Sequence, residues 1–166
     1  MPELQLPTNP NYTAMVRGVR ELHRLVASGK SDDSPEADAI RDATDAPWQA
    51  LSEAERQRVR SLSEDLFSLT EPPAARQPMT AEVQSKMNEI GEARRRGDWD
   101  AALDLLRRYA TYFTSAQLSY LRGSIWQEAG DRETAALFFE HAARLEPENA
   151  AYVAATRLGP TAEGLG

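Results

Sequence analysis

From Tyr12 onward apolar residues recur every three or four positions, and strict alternation is nearly absent, so the pattern predicts helices and almost no strand. Met15, Val19, Leu22 and Val26 mark one face of a helix from about Asn11 to Ala27, and Ser28-Gly29-Lys30 supplies its stop. Ser34-Pro35-Glu36 places a capping hydroxyl before a first-turn proline, which opens a second helix reaching about Ala43, ahead of Asp45-Ala46-Pro47-Trp48. Ser52-Glu53-Ala54-Glu55 is a capping box, and the helix behind it aligns Val59, Leu62, Leu66 and Leu69. Residues 1–10 are proline-rich and read as irregular. In 71–78, Pro72, Pro73 and Pro78 cannot extend a helix. This segment is either an extended spacer between two regions or an ordered strap across one continuous domain.

Beyond the prolines, Thr80 caps a helix carrying Val83, Met87, Ile90 and Ala93. A Gly97-Asp98 turn leads to a helix with Leu103, Leu106, Tyr109 and Phe113. Ser115 opens the next, with Leu118, Leu121, Ile125 and Trp126, and Gly130-Asp131 turns into a fourth with Ala135, Phe138, Phe139, Ala142 and Leu145. Pro147 stops that helix, and Ala150–Leu158 forms a short last one between Glu148-Asn149 and Gly159-Pro160. The two glycine–aspartate pairs lie 33 residues apart, a period expected of stacked helical hairpins. The expected fold is all-α: an N-terminal three-helix region over 11–70, a proline-rich join over 71–79, and two hairpins plus a capping helix over 80–158.

Residues 116–149 resemble a tetratricopeptide repeat through Gly123, Trp126, Gly130-Asp131, Ala135, Phe139, Ala142 and Pro147. Residues 83–114 resemble a more degenerate copy, with Gly97-Asp98, Ala102 and Leu106 in register. This copy departs at Ile90, Tyr109 and Thr114, which align with Gly123, Ala142 and Pro147. In the better copy Arg122 stands where the family usually has leucine, with Leu121 one residue early. The resemblance implies a scaffold for protein binding and no particular chemistry. It also implies that the first helix of each hairpin lines a concave face. Helical spacing puts Gln84, Asn88, Gly91 and Arg95 there in the first copy, and Gln117, Tyr120, Ser124 and Gln127 in the second. Such residues suit an extended peptide, and they are equally common on any solvated helix face. The lysine and asparagine clamp that some family members use for chaperone tails is not found at these positions.

Composition narrows the classes of function. Net charge is −7, with 9 Lys+Arg against 13 Asp+Glu in residues 1–78 and 10 against 13 in 79–166. An acidity spread this evenly argues against nucleic acid or an anionic membrane as the partner. The absence of cysteine removes disulfides, thiolate nucleophiles and cysteine zinc sites. The N-terminus lacks a basic segment followed by an apolar run, and no stretch has the apolar length of a membrane span. The expectation is a cytoplasmic protein.

The search for chemistry returns mostly structural readings. His23 and His141 have no metal-pair spacing, so structural or surface roles are expected. Asp32, Asp33, Glu36, Asp38, Asp42 and Asp45 lack the glycine turn of a calcium loop and suit a solvated helix start. Arg94-Arg95-Arg96 with Arg107-Arg108 either forms a patch for an acidic peptide or complements helix carbonyl ends. Trp48 is expected to pack against the Val59/Leu62 stripe, exposure as a contact site being the alternative. No phosphate-cradling glycine loop or nucleophile elbow occurs. The sequence therefore points to a non-catalytic module, with no cofactor or metal, that binds a protein or peptide partner. A self-associating homodimer is the second reading, and an enzyme assembled from the 32–45 acids and the histidines a third.

Overall fold

The computed structural model describes residues 9–73 and 76–157. Expectations for residues 1–8, for Ala74 and Ala75, and for the Leu158 to Pro160 stop lie outside the described residues. Among those described, the protein is all-α, with eight α-helices and no strand. The chain divides into two compact units between Glu71 and Pro72.

The first unit holds α1 (Pro10–Ala27), α2 (Pro35–Gln49) and α3 (Glu53–Phe67), with α1 packed on both of the others. Asn9, Ser34 and Ser52 each accept a backbone N–H at the start of a helix. Gly29 closes α1 at φ 96°. The buried face of α1 is Tyr12, Met15, Val16 and Gly18, whereas the expected stripe fades along the helix: Val19 and Leu22 are half-buried and Val26 is exposed. The cause lies at Gly18, where a side chain would collide with the Thr44 methyl of α2, so α1 is rolled towards its smallest residue. The α3 stripe is as expected at Val59, Leu62 and Leu66, with Leu69 half-buried in a short 3₁₀ turn and the carboxylate-bearing Asp65 also buried.

α2 continues to Gln49, past the expected end near Ala43, with Pro47 inside its last turn. A proline there removes one hydrogen bond of a helix already ending. Arg56 of α3 holds the extra turn: its Nε–H donates to the Trp48 carbonyl at 3.2 Å and its Nη2–H to that of Gln49 at 3.3 Å.

The capping box at α3 makes a prediction about acid. Glu55 accepts the Ser52 N–H at 2.9 Å, and this backbone bond holds its carboxyl below its ordinary value of 4.5, helped by the Ser52 and Asn9 side chains and by the charge of Arg58. A carboxylate with a depressed folded pKa adds stability above its unfolded pKa, and that stability is lost as pH falls through the folded value. Thermal melts between pH 6 and pH 3 should therefore show a smaller acid-induced loss for Glu55→Gln than for the native chain.

The second unit holds α4 (Ala81–Arg95), α5 (Trp99–Arg108), α6 (Ser115–Glu128), α7 (Arg132–Leu145) and α8 (Ala150–Thr156), each packed on the next. Its two main turns are chemically the same. Gly97 at φ 72° and Gly130 at φ 88° adopt the left-handed conformation. The Gly97 N–H donates to the Arg94 carbonyl and the Asp98 N–H to that of Ala93; Gly130 and Asp131 do the same to Gln127 and Trp126. Each aspartate then caps the following helix, Asp98 at Ala101 and Asp131 at Thr134. One dipeptide thus ends a helix and begins the next, twice. Gly130→Ala should cost about 1–2 kcal/mol, the penalty of a left-handed residue bearing a Cβ, in a denaturant titration.

Burial repeats at the same offset of 33. Ile90 and Gly123, Ala93 and Trp126, Ala102 and Ala135, and Leu106 and Phe139 are all buried. Three expectations need correction. α5 ends at Arg108, so Tyr109 and Phe113 flank a 3₁₀ turn as half-buried residues. The cap of α6 is Thr114, which shares a capping box with Gln117, and not Ser115. Finally, α6 buries Ala116, Ser119, Arg122, Gly123, Ile125 and Trp126, leaving Leu118 and Leu121 half-exposed. Its inner face is chosen by small residues, because the Phe139 ring needs the space above Gly123. In the proline-rich join, the Gln77 N–H donates to the Thr111 carbonyl at 2.7 Å, which ties the end of that segment to the turn after α5.

Candidate functional site

The eight residues expected on the binding face fall into two groups, one on α4 and one on α6. On α4, Gln84, Asn88 and Arg95 are exposed. Their contacts stay within the helix: Gln84 Nε2 donates to Asn88 Oδ1 at 3.5 Å, and Arg95 pairs with Glu92. Gly91 lies half-buried on the same helix.

On α6 the residues are committed to the fold. Gln117 Oε1 accepts the Thr114 N–H at 3.0 Å as the return arm of the capping box. Ser124 Oγ donates to the Tyr120 carbonyl at 2.9 Å. Tyr120 packs its ring 5.7 Å from that of Phe139 and 4.9 Å from that of Tyr152, against a cluster of Ala116, Ala142 and Tyr152. Burial raises the Tyr152 phenol pKa, with Glu146 and Tyr120 adding to it, which favours the neutral phenol. Gln127 is half-buried. Tyr120 is thus a packing residue, and its truncation would disturb α6, α7 and α8 together.

The arginine cluster is largely neutralised by the chain itself. Arg94 of α4 reaches Glu128 of α6 with both Nε and Nη2, Arg95 pairs with Glu92, and Arg107 pairs with Asp104 at 2.7 Å. Arg96 and Arg108 are exposed near the carbonyl ends of α4 and α5, where positive charge is favoured. The acidic stretch is likewise engaged at the surface. Arg41 pairs with Asp32 and Asp38, and Glu36 lies 3.7 Å from Lys30. The backbone at the α2 start, followed by Lys30, lowers the Glu36 pKa. Among the described residues no three histidine or acidic side chains converge as a metal-binding group.

One polar pair escaped the sequence reading. His141 of α7 and Ser119 of α6 are both buried, with Nδ1 and Oγ 2.7 Å apart. The signal was the spacing Ala116–Ser119–Gly123–Trp126, which puts the hydroxyl on the small-residue face turned towards α7. His23 is half-buried on α1. Trp48, also half-buried, lies under the guanidiniums of Arg56 and Arg60. No described helix is long and apolar enough to cross a membrane. No protein-family model, curated protein or solved structure matches the chain.

Proposed function

We propose that the chain is a non-catalytic interaction module of tetratricopeptide-like build, a cytoplasmic scaffold that binds a peptide or protein partner on the outward face of α4. The observation that supports this reading is the row of exposed Gln84, Asn88 and Arg95, whose side-chain bonds among the described residues lie within their own helix. Carboxamides one turn apart offer donors and acceptors to an extended backbone, and arginine adds a charged anchor. The reading requires no cofactor, metal, nucleic acid or membrane. Affinity capture from native lysate should recover a partner with the native chain and lose it with Gln84→Ala/Asn88→Ala/Arg95→Glu, whose exposed positions leave the melting temperature nearly unchanged. Equal capture by both would move the binding face away from α4.

A second reading, self-association, draws on three large apolar side chains at the surface: Phe67 (67% exposed), Met79 (44%) and Val26 (39%). Light scattering at micromolar concentration separates the two, since a particle of 18.4 kDa is a monomer.

A further inference from the structure

The short connection between α2 and α3 places one indole beneath two cations. Trp48 lies in the last turn of α2, and Arg56 and Arg60 lie one turn apart on α3 with their guanidinium carbons 5.4 and 5.3 Å from the centre of its ring. The two arginines are committed differently. Arg56 is half-buried, and its Nε–H and Nη2–H donate to the uncharged carbonyl oxygens of Trp48 and Gln49, which sets its position without neutralising its charge. Arg60 pairs with Glu53 at 3.0 Å, but both side chains are well exposed, and such a pair is screened and readily exchanged.

Like charges one turn apart on a helix repel. The negative face of the indole offsets part of this repulsion, and the Glu53 carboxylate paired with Arg60 offsets more. Guanidinium forks match carboxylates in a planar, two-bond geometry. The partly exposed indole beside them supplies apolar surface, and tryptophan and arginine are the residue types that dominate binding energy at protein interfaces. A chain of net charge −7 repels a polyanion such as nucleic acid at long range, whereas a short peptide can be held by local geometry.

We propose that Trp48, Arg56 and Arg60 form a docking site for an acidic peptide segment of a partner protein. A carboxylate of the peptide displaces Glu53 and bridges the two guanidiniums, and a neighbouring apolar side chain rests on the indole. The site is on the first unit and does not depend on the α4 face.

The test uses the full chain and follows the indole Nε1–H resonance of Trp48, assigned through Trp48→Phe. The probe is a short glutamate-rich peptide containing one leucine, beside its lysine-for-glutamate counterpart and a single-stranded oligothymidine. The glutamate peptide should shift the resonance saturably and the lysine peptide should not. Arg60→Ala should weaken binding about tenfold, the loss of one charge-assisted contact. Glu53→Gln, which removes the competing carboxylate, should tighten it, a gain that no loss of folding can imitate. An unmoved Trp48 resonance, equal affinity for native and Arg60→Ala chains, or a shift produced only by the oligothymidine would each overturn the proposal.

Discussion

Phe138→Ala is expected to lower the unfolding free energy by about 3–5 kcal/mol, the usual cost of deleting a fully buried aromatic ring and leaving its cavity. Phe138 has no exposed surface and is the largest of the fully buried side chains. It lies at the middle of α7, the one helix packed against both α6 and α8. Its flanks are the small residues Ala135 and Ala142, whose compactness lets neighbouring helices approach but leaves little side chain to slump into the vacated space. Collapse of the cavity should therefore be poor and the loss near the upper end of that range. Denaturant titration followed by circular dichroism measures it. A loss under about 1 kcal/mol, typical of a surface or partly exposed site, would show that α7 is not the centre of this unit.

Gly123→Ala is expected to cost about 1–3 kcal/mol by overpacking, although alanine is the better helix former by about 1 kcal/mol. Gly123 lies mid-helix with no unusual backbone angle, so propensity alone favours the substitution. Geometry reverses the sign. An added Cβ would sit 2.6 Å from both Cδ1 and Cε1 of Phe139 and 3.1 Å from its Cγ. Those atoms belong to a flat ring that is itself buried and packed at a tilt against Tyr120, so it cannot swing aside as a flexible chain could. Phe139→Leu should restore part of the stability lost in Gly123→Ala, giving a non-additive double-mutant cycle in thermal melts. Additive effects would mean that the two residues do not meet.

The turns were legible because their chemistry is local. Glycine closes a helix through its left-handed conformation, and the aspartate after it caps the next helix with its own side chain, so Gly97-Asp98 and Gly130-Asp131 need no tertiary context. The buried face of α3 was legible for a similar reason, since Val59, Leu62 and Leu66 leave one choice of stripe. The faces of α1 and α6 were legible only in part: Met15, Ile125 and Trp126 are buried as expected, and the rest of each stripe is not. Counting large apolar residues favoured Val19, Leu22 and Val26 on α1 and Leu118 and Leu121 on α6. The packed faces are set by Gly18 and by Ala116, Ser119 and Gly123, whose value lies in what they omit. Only the facing residues, Thr44 and Phe139, reveal it. The length of α2 was hidden in the same way, because the arginine that secures its final turn past Pro47 comes from the next helix.

Exposure along the candidate face was legible on one helix. Helical spacing puts Gln84, Asn88 and Arg95 on α4, where they are exposed and where their bonds among the described residues lie within the helix. The corresponding row on α6 is half-buried because the helix is turned towards its small residues, which brings Tyr120 into contact with Phe139 and Tyr152 and engages Gln117 in a cap. Spacing alone did not show that Tyr120 also serves in packing. The arginine cluster shows the complementary limit: three of its five side chains pair with Glu92, Asp104 and Glu128, the last from a helix 34 residues away in sequence, while the Arg95–Glu92 pair stays exposed to solvent.

We propose that α4 presents the binding face of the second unit, and hydrogen–deuterium exchange on the full chain, with and without the captured partner, is the measurement that decides it. The partner is expected to slow exchange chiefly in residues 81–95, leaving the α6–α8 cluster, already protected by packing, unchanged. Protection confined to the first unit, or to α6 through α8 with α4 unaffected, would contradict it.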